Sequence, residues 1–385
     1  MPQLPPLMLL TVTSLMCSYT HAMTKESSWS NDNLYIQAAS DMHTSVLSDG
    51  SYVFAQNFNG YTPGLVVTDA AGTVINYIQA NIDQASTTGF DIDKDGNYLL
   101  AGGIRSSLDG DTSTYRQAYI TKIDPELTIL DEVAYSLTPQ ELLAEASFYA
   151  IESDSIGNYY GLYFEYAGAK SVHVVKFDNA LTPQTSVNLS LSDATWGDIT
   201  VLGDGNVLVA YSNTLQILDP ELNVLVSQTY PEYRFKDVTV SEQGLFVTAS
   251  IGVPVTHEQS IGLYDSSTLQ VLDEHILTPS GLSLETLDMM NTVLLGEHLY
   301  LATTGRDVQG DSDIHIYEFE NTNLAAGPLS ELEIGGSGFD NAGPIMLDNT
   351  QTLISTSSTR SADGDFPEED VILGDRLATT VIQVE

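Results

Sequence analysis

Phe90-Asp-Ile-Asp-Lys-Asp-Gly-Asn-Tyr-Leu-Leu-Ala-Gly-Gly103 decides the fold. It reads as an alternating strand, a tight turn at Asp95-Gly96 and a second, more apolar strand. Asp-Gly supplies the positive φ that a short hairpin turn requires, and the flanks hold β-branched and aromatic residues, so the stretch predicts a hairpin and not a helix. Downstream, Ala118-Tyr-Ile-Thr-Lys-Ile-Asp-Pro125 and Leu127-Thr-Ile-Leu-Asp131 add two more strands around an Asp-containing turn. The unit therefore has four strands.

The unit recurs. Asp198-Ile-Thr-Val-Leu-Gly-Asp-Gly-Asn-Val-Leu-Val-Ala210, with Leu215-Gln-Ile-Leu-Asp-Pro220 and Asn223-Val-Leu-Val226, matches it position by position. Its first turn returns at Asp49-Gly50, Ile156-Gly157, Asp204-Gly205, Gln243-Gly244, Gly296-Glu297 and Asn349-Thr350. From Gly50 to Asn349 there are 299 residues over six intervals, about 50 per unit, the length of a four-stranded propeller blade with enlarged loops. The expectation is all-β: a seven-bladed β-propeller of four-stranded antiparallel blades.

The last unit, from Pro344 through Thr352–Ser357 to Ala378–Val384, holds only three strands. Asn33-Leu-Tyr-Ile-Gln-Ala38 precedes the first unit and has no blade of its own. Docked on the seventh blade, it completes that blade, covers an open strand edge and closes the ring. A capping pattern over Thr138-Pro-Gln-Glu141, continued by Leu142–Ala146, predicts one short helix between blades two and three.

Asp95-Gly-Asn97, Leu99-Leu-Ala-Gly-Gly103 and Ala118–Pro125 together resemble the bacterial secreted propeller repeats of the SBBP and delta-60 types, and more distantly the NHL repeat. The likeness is good in blade two, fair in blades one, four and seven, and poor in three, five and six. It implies a propeller and export, and no single chemistry.

Composition limits the partners. Twelve Lys and Arg stand against 52 Asp and Glu, a net charge of −40. Phosphate backbones and anionic headgroups are held by clustered Lys and Arg, which this chain lacks, so nucleic acid and membrane surfaces are excluded as expected partners. Residues 1–22 are uncharged and largely apolar and end in Ala22, which predicts a signal peptide followed by one propeller domain over residues 23–385. The apolar run from Leu7 to Met16 is too short to span a bilayer. A secreted or periplasmic monomer is expected. A lipid anchor through Cys17, the only cysteine, is the less favoured reading, because Met16 suits that modification poorly. Without Cys17 the mature chain has no disulfide and no thiolate site.

Two constellations are candidates for function. Three loops between second and third strands share a pattern: Arg105 with Asp109 and Asp111, Arg306 with Asp311 and Asp313, Arg360 with Asp363 and Asp365. Their carboxylates could ligate Ca²⁺ and their arginines an anionic group, while Asp-Gly-Asp is equally ordinary turn chemistry. In the second constellation, His43, Asp198 and Asp237 each stand seven positions before a turn glycine, which places them at the channel mouth. A His with carboxylates can bind a metal or serve as a general base. Asp91–Asn97 imitates an EF-hand loop, but Gly102 occupies the twelfth position and the context is strand, turn, strand.

The function expected from these features is a binding or scaffold module for a protein or polysaccharide, stabilised by Ca²⁺. The alternative is an extracellular polysaccharide lyase or hydrolase using His43 or His257 with Asp198, Asp237 or a channel tyrosine. The first rests on fold analogy.

Overall fold

The computed structural model describes residues 23–35, 43–58, 62–82, 85–105, 115–139, 145–189, 197–252, 258–277, 291–306, 312–335, 340–348, 350–359 and 376–384. These residues form seven four-stranded antiparallel sheets, the blades of a β-propeller. Blade one spans His43–Gln79, two Ala85–Tyr135, three Glu145–Asn188, four Gly197–Thr229, five Tyr233–Leu277 and six Asn291–Ile334. The first strands of blades two to seven touch in succession, and that of blade seven touches that of blade one. They ring a central channel.

Blade seven closes the ring with strands from both ends of the chain. From the channel outward it holds Asp340–Leu347, Leu353–Thr359, Arg376–Val384 and Met23–Tyr35. The closing strand starts ten residues before the expected Asn33–Ala38. Nine of its residues pair with the last strand, from Met23↔Val384 to Tyr35↔Arg376. Residues 36–38 lie outside the described residues. The polar run after Met23 suits this place because the strand is outermost: only its backbone groups must pair, and no apolar alternation is required. Met23 itself is 7% exposed and sits in the core between blades six and seven.

The expected helix is also corrected. Glu145 and Ala146 open the inner strand of blade three, and residues 140–144 lie outside the described residues. Among those described, the only helical turn is a 3₁₀ turn at Leu324–Ala326.

Seven apolar clusters hold the ring together, one at each boundary between neighbouring blades. Middle strands are buried on both faces, as in Val207–Tyr211, whereas outer strands such as Val74–Gln79 are largely exposed. Aromatic residues wedge between blades. Tyr135 of blade two meets Phe148, Tyr163 and Phe177 of blade three at centroid separations of 5.3 to 5.8 Å.

The turns between third and fourth strands carry an unforeseen device. Leu127, Leu181, Leu222 and Leu269 adopt positive φ between 53° and 66°, a conformation costing a leucine about 1–2 kcal/mol. Leu181, Leu222 and Leu269 are buried between blades, and burying a leucine contributes roughly 1.5–3 kcal/mol. Packing offsets the strain.

Candidate functional site

His43, Asp198 and Asp237 all lie on inner strands, in blades one, four and five. The structure pairs the two carboxylates and sets His43 apart from them. Asp198 Oδ1 accepts a hydrogen bond from the Ile199 N–H at 2.8 Å, and Oδ2 accepts one from the Val238 N–H of blade five at 3.1 Å. Asp237 Oδ2 accepts from the N–H and the hydroxyl of Thr292 in blade six, at 3.0 and 3.1 Å. Burial holds both carboxyls above the usual range, and the Asp237 charge raises Asp198 further.

His43 instead hydrogen-bonds to the backbone of Thr88 in blade two, and its ring stacks on Phe90 at 6.4 Å. Burial pulls its pKa down to about 4, so it is neutral at pH 7. Its Nε2 is enclosed and has no hydrogen-bond partner among the described residues.

Two further carboxylates belong with Asp198 and Asp237. Asp91 Oδ2 accepts from the Ser153 N–H of blade three at 2.8 Å. Burial also raises Asp91. Glu152 is raised well above the usual range, first by burial and then by the charges of Asp91 and Asp198. Consecutive blades two to five thus each contribute one acid to an arc on the channel wall. Asp91 and Glu152 stand five positions before their turn glycines, on the same strand face as residues seven before. That parity is the signal that finds them.

The loop constellation is only partly visible. Arg105 ends the second strand of blade two, paired with Tyr115, and Arg306 ends that of blade six, paired with Ser312, so their backbones are equivalent. Arg360, Asp109, Asp111, Asp311, Asp363, Asp365 and His257 lie outside the described residues. Asp313 is half-buried, and its carboxylate lies so close to Gly335 that a Cβ there would stand 1.8 Å from Oδ1.

The EF-hand-like run Asp91–Asn97 is a strand and its turn. Asp93 Oδ1 accepts from the N–H groups of Asp95 and Asn97, both at 2.9 Å. Its Oδ2 takes the Tyr159 hydroxyl at 2.9 Å and lies 3.3 Å from Lys122 Nζ. Burial alone would raise this carboxyl, but its hydrogen bonds from Asn97, Tyr159 and Asp95 outweigh that and hold it below the usual range.

On the turn face, a groove of about 420 Å³ between blades three and four contains Lys176. That cation is already engaged, donating to the Pro220 carbonyl at 2.8 Å. Among the described residues no three of His, Asp and Glu are close enough to hold one metal ion. No helix of the described residues is long and apolar enough to cross a membrane.

Comparison with known proteins supports the architecture. No family model matches the chain, and no curated protein matches it in sequence. Solved structures do. The WD40 domain of Neurospora crassa Pan2 is similar at TM-score 0.56 and 8% identity, over 94% of this chain and 94% of that one. Chaetomium thermophilum Raptor reaches TM-score 0.61 at 11% identity, covering 95% of this chain but only 30% of Raptor. A Dyadobacter fermentans protein of unknown function gives TM-score 0.51 at 12% identity, over 94% and 99%. At such identities these likenesses establish the propeller fold alone. The secreted propeller repeats and NHL remain resemblances.

Proposed function

We propose that this chain is a binding module that presents an acidic channel mouth to a protein partner, exported as its apolar leader implies. The observation that carries this reading is the arc of Asp91, Glu152, Asp198 and Asp237 on neighbouring inner strands. With 12 cationic side chains against 52 anionic ones, the partner must supply the positive charge, and the field favours its approach. A rigid ring with seven packed boundaries suits recognition without rearrangement.

A protein fits better than a polysaccharide. Of the rings near the blade starts, Phe148 and Phe235 are 0% and 1% exposed and committed to the inter-blade cores, and the half-buried Phe90, Tyr149 and Tyr230 pack against other aromatic rings of the chain. For a lyase or hydrolase, His43 has the neutral form a general base needs, but its free nitrogen is enclosed and no carboxylate acts on it. Calcium in the Asp-Gly-Asp loops would be a stabilising addition to this reading.

The test is a binding and turnover panel at pH 7.5. A small basic protein and neutral and anionic polysaccharides are offered to the mature chain, with binding read by interferometry and polymer length by size exclusion. Saturable binding of the basic protein that weakens with salt is expected. Shortening of any polysaccharide would replace the binding reading with the enzymatic one.

A further inference from the structure

We infer that Lys122 and Asn179 join through an amide bond that the chain forms by itself, releasing ammonia and tying blade two covalently to blade three. The inference is independent of the binding reading.

Four side chains meet where the two blades touch. Lys122 stands near the end of the third strand of blade two, Tyr115–Ile123, and Asn179 in the turn after the third strand of blade three, Lys170–Phe177. Lys122 Nζ lies 2.5 Å from Asn179 Oδ1 and 3.3 Å from Asp93 Oδ2. A carbonyl carbon sits about 1.2 Å behind its oxygen, so Cγ of Asn179 is within about 3.7 Å of Nζ, close to the separation from which a positioned nucleophile attacks. Lys122 Nζ also donates to the Tyr159 oxygen at 2.6 Å, which leaves the phenol its own proton to give. That hydroxyl is 2.7 Å from Asn179 Oδ1 and 2.9 Å from Asp93 Oδ2. Burial, and after it the Asp93 carboxylate, hold the phenol in its protonated form. The Lys122 and Asp93 side chains are 7% and 1% exposed and Tyr159 is buried, while Asn179 sits at the exposed rim.

Each group has one task. Asp93 Oδ2 takes a proton from the Lys122 ammonium, which turns an enclosed ion pair into two neutral groups and frees the lone pair of Nζ. With Asp93 protonated, the Tyr159 hydroxyl donates to Asn179 Oδ1 and stabilises the oxyanion that forms as Nζ bonds to Cγ. Collapse of this intermediate breaks the bond between Cγ and Nδ2. The departing nitrogen takes one proton from Nζ and one from Asp93 and leaves as ammonium at the exposed rim. Asp93 is then ionised again and nothing has been oxidised or reduced.

The next blade boundary supplies a comparison within the chain. Lys176 of blade three occupies the place of Lys122 and lies 5.4 Å from the centre of the Tyr160 ring, as Lys122 lies 5.2 Å from that of Tyr159. Pro220 takes the place of Asn179, and Lys176 donates to its backbone carbonyl at 2.8 Å. That lysine meets no side-chain amide there. A covalent tie also suits a chain whose only cysteine is Cys17, because a single thiol forms no disulfide within it.

Intact-mass measurement of the folded chain after prolonged incubation at pH 8 tests the inference. The wild-type chain should be lighter than its sequence requires by one ammonia, and digestion should release a single peptide joining residues 122 and 179. Lys176→Arg should lose the ammonia too. Lys122→Arg and Asp93→Asn should keep it. Tyr159→Phe should form the joined peptide about a hundredfold more slowly, the cost of one missing oxyanion donor. A wild-type chain at full mass overturns the inference. So does the same loss in Lys122→Arg, which would assign it to ring closure at an asparagine. The joined peptide from Asp93→Asn would overturn the proton route through Asp93.

Discussion

The Val238 N–H donates to Asp198 Oδ2 at 3.1 Å across the boundary between the fourth and fifth blades. Ser153 donates to Asp91 and Thr292 to Asp237 in the same way. Three acids of the channel wall, Asp91, Asp198 and Asp237, are therefore also bolts between blades, which ties the electrostatics of the site to the stability of the ring.

That tie makes stability fall as pH rises above about 6.5. Burial raises Asp198 and Glu152 in the folded chain, so the folded state keeps protons that the unfolded chain releases near pH 4. Unfolding free energy then declines with pH until these groups ionise, by at most about 1.4 kcal/mol per pH unit for each. His43, pulled down to about 4, acts oppositely, but only below its ordinary value near 6.5. Denaturant titrations between pH 6.5 and 8.5 should show the decline, and Asp198→Asn should flatten it. An identical slope in that variant would rule Asp198 out as its source.

Between blades two and three, Lys122 and Asp93 form an ion pair whose side chains are 7% and 1% exposed. Lys122→Met leaves the carboxylate buried without its cation, a change worth about 3–5 kcal/mol. Adding Asp93→Asn should restore part of the loss. Equilibrium unfolding of the single and double variants measures it, and additive losses would contradict the coupling.

Deleting residues 23–31 removes eight of the nine pairs that close the ring, all but Tyr35↔Arg376, and leaves Arg376–Val384 as a bare edge. The melting temperature should drop by roughly 5 °C or more, with concentration-dependent association through that edge. Scanning calorimetry and size exclusion report both. A monomeric variant that melts like the parent would mean the strand is dispensable.

Calcium bound in the loops of Asp109, Asp311 and Asp363 would show as a Ca²⁺-specific rise in melting temperature over EDTA at fixed ionic strength. At a hundred times the dissociation constant the stabilisation is about 2.7 kcal/mol. No rise would leave those loops as turns.

The propeller was legible because its signal is periodic. Seven glycine or asparagine turns at regular spacing fix hairpins whatever the loops contain, and the incomplete last unit announces closure from the other end. The start of the closing strand at Met23, ten residues before Asn33, escaped because an outermost strand needs backbone pairing and no apolar pattern. Leu127 and its equivalents escaped because local rules assign positive φ to Gly or Asn, and only inter-blade burial explains a leucine there. At the site, the count of seven from the turn glycine found Asp198 and Asp237. Asp91 and Glu152 share their strand face, but that they neighbour Asp198 in space is a property of the ring.

The most direct measurement of the central claim is the binding of a basic protein by two double variants that each lose two acids. Asp91→Asn with Glu152→Gln strips the channel wall, while Asp131→Asn with Glu221→Gln removes the same number of acids from exposed positions. The first pair should weaken binding at least tenfold and the second should leave it nearly unchanged. Equal effects would mean that the net charge of −40, and not the channel, recognises the partner.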